Sequence, residues 1–426
     1  MATDLAGSSL ITARKTGTLK AKPKAFVDSL STRDRIDYYR ITLSRRSTLY
    51  ASLSKLTANA DIELRNPKGQ LLLRSAHGST KSEALVKSLK AGVYFLKVFL
   101  RSGKTRYRLN LAAVATATAP IPAGTPVKGD RWLYQLQNAS ISDINATNFN
   151  VLTIDYSRDG SDAGRYTPAD LQALHNNGKN VLAYLSIGEA EDYRYYFNPN
   201  WVAYDSATQL KQPVPGKAPD WLGQTNPDWE GNYKVKYWSE DWQSTMLGYV
   251  DRIIDAGFDG VYLDIIDGFE YWSDQSQLNA SGSDETALSQ ADAANRMIQW
   301  VERIAYYARV IRGDTDFQIV PQNGESILAY DQDGSYLRTI SGIGIEDLFY
   351  DGLTPQPQAT VQYRLQWLNR IQANGKPVLL VDYVDDGTGR TGENGDRINN
   401  FLNLATNRGY LPYVGRSDRA LNTINP

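Results

Sequence analysis

The stretch GVYLDIID, residues 260–267, decides how the larger part of this chain is interpreted. It is a short apolar run that follows a helical segment and ends in carboxylates. A strand buried on both faces is typically a continuous run of Val, Tyr, Leu and Ile. Because carboxylates are costly to bury, we expect Asp264 and Asp267 to face a cleft at the C-terminal end of this strand.

The same pattern, an apolar run that carries an acid near its end, recurs along the chain. The runs are VLTIDY, VLAYLSIGE, IVPQNGE, IGIEDLFY and VLLVDY, and their acids are Asp155, Glu189, Glu325, Glu346 and Asp382. In a parallel α/β barrel, active sites are built at the C-terminal ends of the strands. Acids converging there, in a chain with only two histidines, predict chemistry by a pair of carboxylates.

Eight strand-like runs alternate with helical segments from about residue 130 onward. The runs cover residues 132–137, 151–156, 180–188, 260–266, 317–324, 342–350, 378–384 and 410–414. A helix is predicted to start at Thr167-Pro168, and another runs from Ser239 to Gly257. Eight such units predict a (β/α)8 barrel. A doubly wound open sheet is the alternative, but no glycine-rich turn follows the first strand.

Residues 1–114 have a different pattern, with short alternating runs separated by turn signals such as Asn66-Pro67-Lys68-Gly69. This spacing predicts an all-β sandwich. Residues 115–128 are rich in Ala, Thr and Pro and are predicted to be a linker. The chain is therefore expected to be multidomain, with an N-terminal all-β sandwich at residues 1–114 and a TIM barrel at residues 129–426.

Composition excludes several classes of site. The chain has no cysteine, which excludes thiol nucleophiles, disulfides and cysteine-ligated metals. His77 and His175 fall in different predicted domains, which argues against a Ser-His-Asp triad or a multi-histidine metal site. No apolar run is long enough to span a membrane, and no signal-peptide-like segment opens the sequence. We expect no cofactor and no metal.

The charge is unevenly distributed. Residues 1–115 carry 22 of the 46 basic residues and 7 of the 47 acidic ones, which leaves 24 basic and 40 acidic residues for the remainder. The basic N-terminal part is expected either to contact an anionic surface or to dock on the acidic barrel. An acidic barrel suits a cationic ligand, and no nucleic-acid partner is predicted.

Aromatic residues are concentrated between the third and fourth predicted barrel strands, and all nine tryptophans lie beyond residue 130. Aromatic faces suit the C–H faces of sugar rings and cations. The alternative is a packed excursion with its own small core. The residues predicted to bind substrate are Asp155, Tyr184, Glu189, Tyr237, Trp238, Asp267, Glu346 and Asp382.

Hydrolysis of a glycoside needs one proton donor and one carboxylate that flank the bond to be broken. Asp264 ends the fourth strand and Glu325 follows the fifth, so the two should be neighbours in a barrel. We predict Asp264 as nucleophile and Glu325 as general acid/base of a retaining mechanism. Glu346, on the sixth strand, is the alternative acid, and a wider separation of the carboxyl groups would indicate inversion.

The motifs LTIDYSRDG, LAYLSIGEAEDYR, GFDGVYLDIIDGFEYW, PQNGE and GIGIEDLFYDG resemble glycoside hydrolase family 114, a group of endo-α-1,4-polygalactosaminidase-like TIM barrels. The resemblance runs through residues 130–415 and implies that Asp264 and Glu325 are the catalytic pair. In the N-terminal part, DYYRITL, ADIELRNPKGQLL and AGVYFLKVFL resemble the bacterial pre-peptidase C-terminal domain, an accessory sandwich of secreted hydrolases.

The first resemblance implies hydrolysis of an α-1,4-linked, galactosamine-rich polysaccharide, which carries ammonium groups when it is partly deacetylated. It also implies an extracellular or periplasmic location. Two alternatives stay open: a non-catalytic carbohydrate-binding barrel, and a glycosidase that acts on a different glycan.

Overall fold

The computed structural model describes residues 5–115 and 121–425. The chain divides into two compact units. The first contains residues 1–122 together with 238–252 and 303–315, and the second contains residues 123–237, 253–302 and 316–426. Among the described residues, no helix combines the length and the apolar character needed to cross a bilayer.

The N-terminal part is all-β, as predicted. Its strands are β1 (Arg14–Thr18), β2 (Lys24–Leu30), β3 (Ile36–Leu43), β4 (Ser47–Ser54), β5 (Ala60–Arg65), β6 (Leu71–Ser75), β7 (Glu83–Leu89), β8 (Gly92–Leu100) and β9 (Thr105–Ala115). They form a five-stranded sheet in the order β1-β3-β8-β5-β6 and a four-stranded sheet in the order β2-β9-β4-β7. Tyr39, Ile41 and Leu43 of β3 are buried, as the alternation predicts, and belong to the core that both sheets share.

The remaining strands are β10 (Trp132–Gln135), β11 (Val151–Asp155), β12 (Asn180–Ser186), β13 (Glu189–Glu191), β14 (Val202–Asp205), β15 (Leu210–Pro213), β16 (Leu222–Thr225), β17 (Asn232–Val235), β18 (Gly260–Asp264), β19 (Gln318–Pro321), β20 (Ile343–Glu346), β21 (Tyr350–Asp351), β22 (Thr354–Pro355), β23 (Val378–Asp385) and β24 (Leu411–Arg416). The predicted linker begins on the last residue of β9, and its residues 116–120 lie outside the described ranges.

The α-helices are α1 (Ile141–Asn145), α2 (Pro168–His175), α3 (Glu240–Ala256), α4 (Gly268–Ser273), α5 (Gln275–Ala280), α6 (Gln290–Tyr306), α7 (Ser335–Thr339), α8 (Gln358–Ala373) and α9 (Gly392–Thr406). The predicted start of α2 is confirmed in detail. The Thr167 hydroxyl accepts from the Asp170 amide, while the Asp170 carboxylate accepts from the Thr167 amide, so two amides at the helix start are satisfied.

The first unit includes helical residues that lie inside the range predicted as the barrel domain. The hydroxyl of Ser244 on α3 accepts from the Val86 amide of β7 at 3.2 Å, and Glu240 accepts from the Ser88 amide at 2.7 Å. In the same unit, the Tyr307 hydroxyl donates to the buried Asp251 carboxylate at 2.9 Å. These contacts explain why residues 238–252 cluster with the sandwich.

The second unit is built on eight parallel strands, as predicted. β10, β11, β12, β18 and β19 form one hydrogen-bonded group in that order, and β20, β23 and β24 form another. A parallel bridge between Gln322 and Gly344 connects the two groups. Glycine is required at position 344, because a Cβ there would lie 1.9 Å from the Tyr262 hydroxyl. The strands thus form the interior of an α/β barrel in which aromatic rings of β10 and β18 pack together.

The segment between β12 and α3 is an insertion with its own strands. β13, β17 and β16 form a three-stranded antiparallel sheet, and β14 pairs with β15. The insertion starts immediately after the C-terminal end of β12. It can therefore place side chains beside the strand ends, where barrel sites are built.

Candidate active site

A cavity of about 700 Å³ lies at the C-terminal ends of the barrel strands in the second unit. Its wall contains strand-end side chains, residues of the insertion and a short stretch near the C-terminus. They include Tyr134, Asp155, Tyr184, Glu189, Glu191, Tyr193, Trp229, Asp264, Asp267, Gln322, Asn323, Glu346, Tyr383 and Arg419. The acids outnumber the cations in this wall, so the cavity favours a positively charged ligand.

Asp264 is the last residue of β18 and is half-buried in the cavity wall. The Tyr184 hydroxyl donates to its Oδ2 at 2.6 Å, and the Ile265 amide donates to its Oδ1 at 2.8 Å. Burial, and next the charge of Glu346, raise the pKa of Asp264 well above its usual range. Asp264 and Glu346 are therefore electrostatic neighbours.

Glu346 ends β20 and lies in the same wall. The Tyr383 hydroxyl donates to its Oε1, and the Asn323 amide group donates to its Oε2 at 3.2 Å. Burial raises the pKa of Glu346, although the hydrogen bond from Tyr383 opposes this effect. Among the described residues, neither Asp264 nor Glu346 takes part in an ion pair, whereas other acids nearby do.

The backbone turns sharply at the ends of three adjacent strands. Ile265, Asn323 and Asp347 have φ of 60°, 55° and 51°, in the left-handed region. This conformation is a true outlier for a β-branched residue such as Ile265. Strained residues of this kind cluster at active sites, where the surrounding structure holds them in place. Here the turns orient the side chains of Asp264 and Glu346, each of which precedes a strained residue.

Glu325 lies elsewhere. It is buried, it is not part of the cavity wall, and its Oε1 accepts from the Arg364 Nε at 2.5 Å. Arg364 also donates to the backbone carbonyl of Glu346 at 2.7 Å. A guanidinium is the partner of a carboxylate anion, whereas a general acid has to carry a proton. The role of Glu325 as the acid stays a prediction, and the geometry favours Glu346.

Asp267 is also part of the cavity wall, and its side chain is exposed. Its side chain remains accessible to solvent, but the protein around the cavity lowers its solvation, and this effect, followed by the charge of Glu270, raises the pKa of Asp267 to about 6. Lys234 acts in the opposite direction. Asp267 can therefore change its charge near neutral pH, which few carboxyl groups do.

Two acids predicted to bind substrate are engaged by the protein itself. Asp155 accepts two hydrogen bonds from Arg194, at 2.9 and 2.7 Å, and the guanidinium is almost fully buried. Glu189 accepts from Lys234 Nζ at 2.5 Å and from the side chain of Asn226 at 3.0 Å. Both acids belong to the cavity wall, but their carboxylates anchor the insertion to the barrel strands.

Three other predicted substrate-binding residues lie outside the cavity wall. The buried carboxylate of Asp382 accepts from three consecutive backbone amides, those of residues 348–350, and so holds the loop after β20. Tyr237 is buried and donates to the carbonyl of Ala293. Trp238 belongs to the first unit. Tyr184, in contrast, lies in the wall and contacts Asp264, as already described.

Tyr383 is the functional residue that sequence reasoning missed most clearly. It follows Asp382 on β23, and successive side chains of a strand point to opposite faces. Asp382 holds a backbone loop, so its neighbour faces the cavity. The alternation of side chains along the strand could therefore have indicated Tyr383, whereas nothing in the local sequence indicated Arg364 or Arg419.

Within residues 5–115 and 121–425, no group of three or more histidine, aspartate or glutamate side chains is arranged to hold a metal ion.

A barrel whose strand ends present paired carboxylates in an open cavity is an arrangement that glycoside hydrolases use. This chain belongs to glycoside-hydrolase family GH114, whose family model matches residues 112–425. An uncharacterized protein of Methanocaldococcus jannaschii is 44% identical over 294 residues, which cover 69% of this chain and 78% of the relative.

Two solved structures are similar to parts of the chain. Aspergillus fumigatus Ega3, crystallised in complex with galactosamine, is 19% identical, covers 72% of this chain and 97% of its own, and has a TM-score of 0.47. The pre-peptidase C-terminal domain of a Bacillus anthracis collagenase is 16% identical and covers 23% of this chain and 92% of its own, with a TM-score of 0.21.

Proposed function

We propose that the protein hydrolyses α-1,4-glycosidic bonds in a galactosamine-rich, partly deacetylated polysaccharide. One observation carries this proposal: Asp264 and Glu346 share a cavity, interact electrostatically and have no cationic partner among the described residues. Membership of family GH114 supports the reaction class. The acidic wall supports a polymer that carries ammonium groups. A substrate of this size also supports an extracellular or periplasmic location.

The proposed mechanism is retaining. Glu346 donates its proton to the glycosidic oxygen as the bond from the anomeric carbon breaks, and a carboxylate oxygen of Asp264 bonds to that carbon. Glu346 then removes a proton from water, the water oxygen attacks the anomeric carbon, and the bond to Asp264 breaks. Burial raises the pKa of both Asp264 and Glu346, so the two carboxyl groups retain a proton more readily than free carboxyl groups do. The mechanism places this proton on Glu346 and requires Asp264 to be ionised.

Two tyrosines are positioned to assist this pair. Tyr184 donates to Asp264 and thereby supports the charged form that attacks the sugar. Tyr383 donates to Glu346 and fixes the orientation of the acid. Because Glu325 is the acid that the family resemblance implies, it is the alternative to Glu346, and one set of variants can distinguish them.

The experiment is an assay for new reducing ends with purified protein on deacetylated galactosamine polymer, fully N-acetylated polymer and a neutral α-1,4-glucan. We expect hydrolysis of the deacetylated polymer. Asp264→Asn and Glu346→Gln should abolish it, while Asp220→Asn, an exposed acid outside the cavity wall, should not. Hydrolysis of the neutral polymer alone would contradict the proposed substrate, and binding of the cationic polymer without hydrolysis would identify a carbohydrate-binding barrel.

The acid is assigned with an activated aryl glycoside, whose leaving group needs no proton. Such a substrate should restore the first step in Glu346→Gln, and azide should restore the second step. If Glu325→Gln is rescued in this way and Glu346→Gln is not, then Glu325 is the acid and our assignment is wrong.

A further inference from the structure

Two large aromatic side chains of the insertion are exposed to solvent in the cavity wall. Tyr193 is 49% exposed and Trp229 is 56% exposed, and both are part of the cavity wall. Other exposed large side chains of the described residues, such as Tyr204, lie outside that wall. Leaving an indole half in water forfeits burial that would stabilise the fold. Exposure at this position therefore points to a ligand.

The turn that carries Trp229 is held firmly in place. The side chains of Asn226 and Asn232, on either side of the turn, donate to the two carboxylate oxygens of Glu189 at 3.0 and 3.2 Å. Lys234 pairs with the same carboxylate. Glu189 is fully buried, directly after the third barrel strand. The ring is therefore presented on a loop that is fixed to the barrel.

Tyr193 is held in a comparable way. Its hydroxyl donates to Glu191 at 2.5 Å, and the guanidinium of Arg194 lies 4.8 Å from the centre of its ring. Arg194 in turn makes the paired hydrogen bonds to Asp155 described above. Gly160 leaves room for the ring, because a Cβ there would lie 2.5 Å from the Tyr193 Cδ2 atom.

We propose that Tyr193 and Trp229 form a second sugar-binding subsite, which binds pyranose units of the chain at a distance from the bond cleaved between Asp264 and Glu346. This inference deepens the proposed function and rests on it. The carboxylates of Asp155, Glu189 and Glu191 are used to hold the two rings. The rings offer flat apolar faces, and such faces suit the C–H face of a sugar.

The ligand class follows from what surrounds the rings. Glu230 follows Trp229 in the sequence, Asp159 precedes Gly160, and both acids belong to the cavity wall. An aromatic face flanked by carboxylates suits an amino sugar, whose ring stacks while its ammonium group meets the acids and the aromatic face. A subsite that binds chain units away from the reacting bond favours cleavage within a polymer. We therefore expect an enzyme that prefers long substrates.

The test measures binding and turnover as a function of chain length. Defined α-1,4-galactosamine oligosaccharides of increasing length are titrated by calorimetry into the full-length Asp264→Asn protein, alone and combined with Trp229→Ala or Tyr193→Ala. We expect each change to weaken the binding of long oligosaccharides by about tenfold, an energy typical of one aromatic stacking contact, and to leave the shortest unaffected. In the active protein, kcat/KM should fall more for the polymer than for a short aryl glycoside.

Two matched variants are the controls. Tyr193→Phe keeps the ring and loses only the hydrogen bond to Glu191, so it should retain binding of long oligosaccharides. Tyr204→Ala removes an exposed ring of the same insertion outside the cavity wall and should have no effect. Equal losses for short and long oligosaccharides, or an equal loss in Tyr204→Ala, would overturn the subsite.

The same titrations distinguish a wrong subsite from a wrong substrate. If the Asp264→Asn protein binds no galactosamine oligosaccharide of any length, the proposed substrate is wrong. The same titration with neutral α-1,4-glucan and galactan oligosaccharides then decides the subsite. Length-dependent binding that Trp229→Ala weakens would support it, and the lack of any length-dependent binding would overturn it.

Discussion

Glu63 in the sandwich and Asp264 in the barrel cavity have opposite kinds of partners. On the sandwich, the buried Glu63 is surrounded by cations, with Arg65 Nε at 2.9 Å, Lys97 Nζ at 3.6 Å and Arg74 Nε at 3.8 Å. In the cavity, Asp264 is held by a tyrosine hydroxyl and a backbone amide. The first arrangement stabilises the fold, since the carboxylate has charged partners. The second leaves a titratable carboxyl group without a cationic partner, so it can act on a ligand.

This difference, taken together with exposure, distinguishes structural acids from functional acids. Glu189 and Asp382 are fully buried and lie close to strand ends, yet their oxygens are engaged by amide groups or by a lysine. Asp264 and Glu346 are only half-buried. Asp382 is held by backbone amides and also has no ion pair among the described residues, so the site is marked by two features together: a carboxyl group without a cationic partner and a side chain that is only half-buried.

The largest expected effect is on activity. Asp264→Asn and Glu346→Gln should each lower kcat by about a thousandfold or more, because each removes one of the two groups that act on the bond. The double variant should lose little more than either single variant, since the two residues act as a unit. Steady-state kinetics on the polymer checks this. A double variant whose loss equals the product of the two single losses would contradict it.

The same substitution at position 264 should also raise stability. Burial and the Glu346 charge make the Asp264 anion costly in the folded protein, and a neutral isostere removes that cost. We expect Asp264→Asn to melt at a higher temperature than the unmodified protein in a thermal scan at neutral pH. A lower melting temperature would show that the carboxylate supports the fold and would weaken the comparison with the sandwich.

On the sandwich, removal of a carboxylate charge should have the opposite effect. Glu63→Gln should lower the free energy of unfolding by about 1–2 kcal/mol, because it leaves partly exposed cations without their counterion. Chemical denaturation measures this, with Glu393→Gln, an exposed acid at the start of α9, as the matched control. No change in unfolding free energy would show that the ion pairs around Glu63 are structurally neutral.

The pH dependence of stability should reveal Asp267. Its pKa is about 6 in the folded protein and 3.8 in an unperturbed aspartate, so the folded state binds more protons between these values. Stability conferred by this group is therefore present below pH 3.8 and decreases as pH rises through about 6. Relative to Asp267→Asn, the unmodified protein should lose stability over that interval. Parallel melting curves for the two proteins from acidic to neutral pH would contradict the raised pKa.

The smallest expected effect concerns ionic strength. If the acidic cavity attracts a cationic polymer, kcat/KM should decline as salt is added and kcat should change less, since charges are screened beyond about 10 Å at 0.1 M salt. A short uncharged aryl glycoside serves as the control substrate. Equal salt dependence on both substrates would leave the acidic character of the barrel as a feature of solubility.

Much of the fold could be predicted because strand patterns are local. The predicted strand at residues 378–384 appears as Val378–Asp385, and the predicted helix from Ser239 to Gly257 appears as Glu240–Ala256. Continuous apolar runs indicate strands buried on both faces, and the order of elements indicates the barrel. Residues 317–324 were predicted as one strand, but the strand ends at Pro321. The left-handed turn at Asn323 ends the regular structure there.

The site could be predicted only in outline. From their positions along the strands, Asp264, Glu346 and Tyr184 could be predicted to lie at one end of the barrel. The sequence did not show which side chains form hydrogen bonds or ion pairs with each acid. Glu325 and Glu346 are equivalent by sequence pattern. They differ because Arg364, on α8, pairs with one and contacts only the backbone of the other. Such a contact between distant parts of the chain leaves no local signal.

The sequence by itself determined the all-β region, the eight parallel strands and the gathering of acids at one barrel end, because periodicity and the cost of burying charge act within short segments. The tertiary structure alone decided which carboxylates have no cationic partner and which aromatic rings remain exposed to solvent. It also decided that residues 238–252 join the unit of the sandwich. These outcomes depend on side chains supplied from distant segments, so only the folded chain brings the partners together.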